Sequence, residues 1–228
     1  LGNPMLSAMV RRMFRAPVTD IYCGMRGFTK PRYERIDPRC TGMEFATEMV
    51  IKASLYGARI AEVPITLHPD GRKSHGPHLR TFRDGWRTVR FFLLYSPRWL
   101  FLFSGLLLIG LGLLGYALAL PGVSVAGARL DAHTLLVASL AILLGYQSLL
   151  FAIFSKTFAV SAGLMPEDAR LARFFAHATL ERGLLLGSLA FLIGLGLILA
   201  AAWEWKQTGF GPLDYAHSMR RVIPGVTA

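Results

Sequence analysis

Cysteine is almost missing from this chain: Cys23 and Cys40 are the only two in 228 residues. They form no Cys-x-x-Cys pair and no metal-finger spacing, which fits a reducing compartment and predicts no disulfide. Acidic residues are also scarce, 14 Asp and Glu against 25 Lys and Arg. No Gly-rich phosphate loop and no Asp-x-Asp pair occurs, so the elements that ordinarily grip a nucleotide are lacking. No RNA-binding aromatic motif or DNA-recognition module is visible either, which makes nucleic acid the weakest of the anionic partners that a basic chain attracts. No charged-then-apolar leader precedes the polar region, and the chain opens on Leu1. The expectation is therefore a piece of something longer, from which a nucleotide-gripping half is absent.

The third scarcity is of charge itself, and it is local. Residues 99–120, 134–155 and 183–203 contain no Asp, Glu, Lys or Arg. Each is long enough as a helix to cross a hydrocarbon layer about 30 Å thick. Trp99, Trp203 and Trp205 stand at the ends of these runs, where amphipathic rings favour the headgroup layer. Before them the chain is basic: residues 1–98 hold 17 of the 25 Lys and Arg and 8 of the 14 Asp and Glu. The loop at 121–133 has only Arg129, whereas 156–182 has Lys156, Arg170, Arg173 and Arg182, so the positive-inside rule places the N-terminal region and the second loop in the cytoplasm. An integral membrane protein with three spans is predicted.

Two segments read as amphipathic helices lying along the bilayer. In residues 79–98, Arg80, Arg83, Arg87 and Arg90 recur at helical spacing, with Phe82, Trp86, Val89 and Leu93 on another face. Arginines so placed suit anionic headgroups; a solvated face of a soluble domain gives the same pattern. Residues 166–182 open with Pro166, Glu167 and Asp168, a favourable helix start, and carry an apolar stripe through Leu171, Phe174 and Phe175.

In residues 1–78 the local signals predict a helix near 4–15, a strand over 24–29, a helix over 43–56 and a strand over 59–68, hence an α/β region. Within it Asp20 stands in a loop, where a carboxylate orients a hydroxyl or simply makes a turn. Arg26 has the fork that suits a pair of phosphate oxygens or a salt bridge to Asp20 or Glu48. Glu44 and Glu48 share one helix face. Arg72, Lys73 and Ser74 lie in a Gly- and Pro-flanked loop whose cations suit a diphosphate. His68, His75 and His78 lack an acidic third ligand at helical spacing, so no metal site is assigned to them.

The ordered set Asp20-Ile-Tyr-Cys-Gly-Met-Arg-Gly-Phe28, Gly42-Met-Glu-Phe-Ala-Thr-Glu48-Met and Glu62-Val-Pro-Ile65, followed by a basic Ser-containing loop and an Arg-rich helix, resembles the C-terminal part of the polyprenyl-phosphate glycosyltransferases. These are the dolichol-phosphate mannose and glucose synthase type of glycosyltransferase family 2. The resemblance covers nearly the whole chain. It implies the end of a GT-A, Rossmann-like catalytic domain (1–78), a juxtamembrane helix (79–98) and a transmembrane domain (99–228). It further implies transfer of a sugar from a UDP- or GDP-linked donor to a polyprenyl phosphate, with a divalent cation, Mg²⁺ or Mn²⁺, held mainly by residues upstream. Asp20 and Glu48 then match catalytic positions, Arg26, Arg72, Lys73 and Ser74 phosphate-binding ones, and Arg80, Arg83, Arg87 and Arg90 face the lipid phosphate. The loop at 70–78 departs from the mannose-synthase spacing. A processive polysaccharide synthase is the second enzyme reading, but its Gln-x-x-Arg-Trp motif is absent. A non-catalytic adaptor or transporter subunit is the third, and the charge-free spans argue against an ion path.

Overall fold

The computed structural model describes residues 2–42, 44–66, 68, 81–125 and 127–228. Nine α-helices occur among them, in the order α1 (Gly2–Phe14), α2 (Lys30–Ile36), α3 (Glu44–Leu55), α4 (Thr81–Leu94), α5 (Phe103–Ala119), α6 (Ala132–Ser161), α7 (Ala169–His177), α8 (Leu180–Gln207) and α9 (Tyr215–Thr227). A short π-helical turn, Arg98–Leu102, leads into α5. The described strands are β1 (Ser124–Val125) and β2 (Ala128–Arg129), an antiparallel pair joining α5 to α6.

The α/β expectation is therefore corrected. Among the described residues no strand forms in the N-terminal region: 24–29 and the described part of 59–68 are irregular. A strand persists only where a neighbour takes its backbone donors and acceptors. Around residues 21–26 a side chain takes that role instead, because Arg26 binds the carbonyls of Ile21 and Cys23. Residues 61–66 are exposed throughout, so their alternating pattern has no core to face.

The chain divides into two compact units, one of residues 1–100 with 156–167, the other of residues 101–155 with 168–228. The first is built on α1, whose Leu6, Val10, Met13 and Phe14 fall on one helical face and are buried with Val18, Ile21, Ile51 and Phe92. The rings of Phe14 and Phe92 meet edge to face at 6.2 Å, fixing α4 on α1. Ser54 of α3 donates to the Phe14 carbonyl at 2.9 Å, satisfying an acceptor at the helix end.

The second unit holds most of the length of the long apolar helices. Arg98–Ala119, Ala132–Ser161 and Leu180–Gln207 are each long and apolar enough to cross a membrane, and few of their residues are buried. Apolar side chains facing outward all along a helix suit lipid, not water. Helices α5 and α6 approach through glycine: a Cβ on Gly105 would stand 2.8 Å from the Gly145 carbonyl oxygen. Helix α9, capped by Asp214, packs along α8, where a Cβ on Gly194 would stand 2.5 Å from the Gly225 carbonyl oxygen. Three hydroxyls close the bundle from inside: Tyr116 lies 2.7 Å from Ser139 and 3.1 Å from Thr227, and Thr227 lies 2.9 Å from Ser139. Mutual bonding satisfies groups that hydrocarbon would leave unpaired.

Candidate functional site

The loop between α1 and α2 carries Asp20 and Arg26, and its Thr19–Asp20 segment meets Glu62. The Glu62 carboxylate accepts from the Thr19 N–H at 2.7 Å, the Thr19 hydroxyl at 2.9 Å and the Asp20 N–H at 3.4 Å. The Thr19 backbone bond leads the effects that hold this carboxyl below its ordinary pKa. Asp20 accepts from the Tyr22 N–H at 2.8 Å, making a side-chain turn, and from the Asn3 amide at 2.9 Å. Both bonds use Oδ1, and the residue is exposed.

Arg26 is spent differently from its neighbour. Its Nε donates to the Cys23 carbonyl at 2.8 Å, and its two terminal nitrogens bind the carbonyls of Ala46 and Ile21. Three directions of the fork thus knit the loop to α3, and burial lowers the guanidinium pKa. Arg26 sets the shape of the loop on which Asp20 stands.

Glu48 lies beneath, fully buried, with Oε1 2.9 Å from Lys52 Nζ and 2.8 Å from the Tyr95 hydroxyl. Its Oε2 accepts from the Arg39 N–H at 2.9 Å and the Cys40 N–H at 2.7 Å. Burial pushes this carboxyl up, but the bonds from Lys52, Cys40 and Tyr95 outweigh it and hold the group well below the usual carboxylate range. Lys52 also donates to the Asp37 carbonyl at 2.5 Å, where α2 ends in a left-handed residue. Burial and the same carboxylate push the Cys40 thiol up to about 11 and raise the Tyr95 phenol. A buried carboxylate with four donors anchors the chain around it.

Glu44, one turn earlier on α3, lies 3.0 Å from Arg87 of α4. Arg83 lies 3.4 Å from Asp84, and Arg83, Arg87 and Arg90 are all exposed. Beside them Phe82 and Trp86, four residues apart, are 90% and 62% exposed, so α4 presents cations and large apolar groups together. Arg72, Lys73, Ser74 and Arg80 lie outside the described residues. Among the described residues no three His, Cys, Asp or Glu gather as a metal site.

The partners that sequence reasoning missed are Lys52, Tyr95 and Glu62 in its loop-holding role. Lys52 carried a signal, since it follows Glu48 by four on α3. Tyr95, 47 residues from Glu48, carried none.

Residues 153–228 match the family described as glycosyltransferase family 2 C-terminal transmembrane region. The chain is 38% identical over 216 residues to the low-salt glycan biosynthesis hexosyltransferase Agl6 of Haloferax volcanii. That alignment covers 95% of this chain and 51% of the relative, so the chain spans about half the relative's length. No solved structure matches.

Proposed function

We propose that this chain is the membrane-proximal and membrane-spanning part of a glycosyltransferase that moves a hexose from a nucleotide diphosphate to a polyprenyl phosphate at the cytoplasmic face. The observation that carries the reading is the similarity to a hexosyltransferase along 95% of the chain, through both the Asp20 to Glu62 loop system and the three apolar helices. The positive-inside rule supports a cytoplasmic position for residues 2–97 and for the α6 to α8 loop with Arg170 and Arg173, and an outer position for the β1–β2 hairpin.

In this reading Asp20 is the exposed carboxylate that meets substrate, held by Asn3, the Tyr22 N–H and, through the backbone, Glu62. The acceptor phosphate is already anionic, so transfer requires alignment and charge neutralisation more than proton removal. The exposed arginines of α4, with Phe82 and Trp86 between them, suit a phosphate carried on an apolar chain. Arg72, Lys73 and Ser74 are assigned to the donor diphosphate on the resemblance. A divalent cation, expected on the resemblance, would take its ligands from elsewhere in the intact protein, since the described residues gather no such set.

The test uses membranes carrying the intact protein, added polyprenyl phosphate, Mg²⁺ or Mn²⁺, and a panel of radiolabelled UDP- and GDP-sugars. Label entering the organic phase only when acceptor is added supports the reading and names the donor. No label from any donor, with folded protein present, contradicts it.

A further inference from the structure

Outside the loop system just described, two arginines of the second unit converge on a turn without a side chain. Arg220 stands on α9, Arg129 on β2, Gly122 just beyond α5 and Asp131 just before α6. The Nη2 of Arg220 lies 3.4 Å from Oδ1 of Asp131, yet Nε and Nη2 of Arg220 and that Oδ1 are buried without a hydrogen bond. The chain turns through Gly122 with φ of +73°, and the point where its Cβ would stand lies 2.6 Å from Arg220 Nη2 and 3.5 Å from Arg129 Nη2. Any side chain at 122 would fill the space between the two forks.

Charge does not balance in this cradle. Two guanidinium groups converge on the Gly122 turn, and among the described residues one carboxylate, Asp131, pairs with Arg220, while Glu204 already binds Arg221 and lies 3.5 Å from His217. A buried donor left unpaired costs about 1 to 3 kcal/mol, which an anion bringing several acceptor oxygens would recover. Phosphate oxygens match the guanidinium fork. The cradle also sits where α5 ends and α6 begins, hence where apolar helices leave the hydrocarbon and lipid phosphates lie.

We propose that Arg220 and Arg129 form a phosphate-binding site at this end of the apolar helices, with Asp131 orienting Arg220. The site is separate from the Asp20 loop and does not rest on the transferase reading. A lipid headgroup and a free phosphate present the same chemistry, and the experiment separates them.

The intact protein is purified in neutral detergent, and its unfolding midpoint is followed as inorganic phosphate replaces chloride at constant ionic strength. In parallel, lipid retained from phosphatidylcholine nanodiscs with and without phosphatidylglycerol is weighed by native mass spectrometry. A saturable rise with inorganic phosphate supports the site and shows that the phosphate group suffices. Selective retention of phosphatidylglycerol alone supports it with the headgroup as source. Arg129→Ala, at an exposed position, and Arg220→Lys each weaken the response about tenfold or more. Asp131→Asn strengthens it, because the competing negative charge is gone. If neither probe has an effect, or both arginine variants respond like the parent, the pair of Arg220 and Asp131 is structural only and the proposal is overturned.

Discussion

Lys52 Nζ sits 2.9 Å from Glu48 Oε1, four residues away on α3, and both side chains are buried. This pair joins three segments, because Glu48 also takes N–H groups from residues 39 and 40 and the Tyr95 hydroxyl beyond α4. Removing Lys52 alone leaves a buried carboxylate hydrogen-bonded but without its counter-charge. Lys52→Met should destabilise the intact protein by about 3 to 5 kcal/mol, read from unfolding of the polar unit.

The same pair sets a pH dependence. The folded Glu48 carboxyl titrates below its unfolded value, so its stabilisation is complete above the unfolded pKa of about 4.3 and is lost as pH falls through the lower folded value. The stability difference between the parent and Glu48→Gln should therefore be constant near neutral pH and shrink below about pH 4.3. Denaturant titrations across acid pH would reveal it; a difference that widens in acid would mean that the ionised Glu48 does not stabilise the fold.

Cys40 is a reporter of this network. Its thiol is pushed up to about 11 by burial and by Glu48. At pH 8 it should react with iodoacetamide about a hundredfold more slowly in the folded protein than in denaturant, where thiols titrate near 8.5. Peptide-resolved alkylation measures this, and equal rates would mean that the burial described around Cys40 is wrong.

The apolar helices yield a paired prediction about glycine. Gly145→Ala would place a methyl 2.7 Å from the Gly105 carbonyl oxygen and should lower the detergent unfolding midpoint, overpacking costing about 1 to 3 kcal/mol. Gly183→Ala meets nothing within 4 Å and should leave the midpoint unchanged or slightly raised.

These positions show what was legible in the sequence. The charge-free runs needed only composition, and the helices found at Arg98–Ala119, Ala132–Ser161 and Leu180–Gln207 contain the three predicted spans but for Leu120. Close packing was not legible from spacing: Gly183 and Gly187 make the small-xxx-small pattern yet face open space, whereas Gly105 and Gly145 meet from different helices. The predicted strands failed because strand formation is a property of pairs. A sequence shows alternation at 59–68, but not that the Arg26 fork takes the carbonyls of the other candidate strand's surroundings. Glu48 was visible as a carboxylate on a helix face, but its four donors come from three parts of the chain.

The loop system predicts a division of labour between neighbouring residues. Asp20→Asn should keep the fold, since an amide oxygen still accepts from Asn3 and Tyr22, while reducing transfer by about a hundredfold or more if charge at this position acts in the transition state. In Arg26→Lys a single ammonium nitrogen cannot span the three carbonyls that the separate nitrogens of the fork reach, and the variant should lower both transfer and the resistance of the loop to proteolysis. Turnover assayed beside limited proteolysis separates the two effects.

The proposed product is a polyprenyl phosphate carrying one hexose, and the mass of the lipid made by the intact protein shows whether it forms. Membranes supplied with nucleotide sugar and polyprenyl phosphate should yield a lipid one hexose heavier that retains its single phosphate. A polymer free of lipid, or a polyprenyl phosphate recovered unchanged from folded protein given every donor, would contradict it.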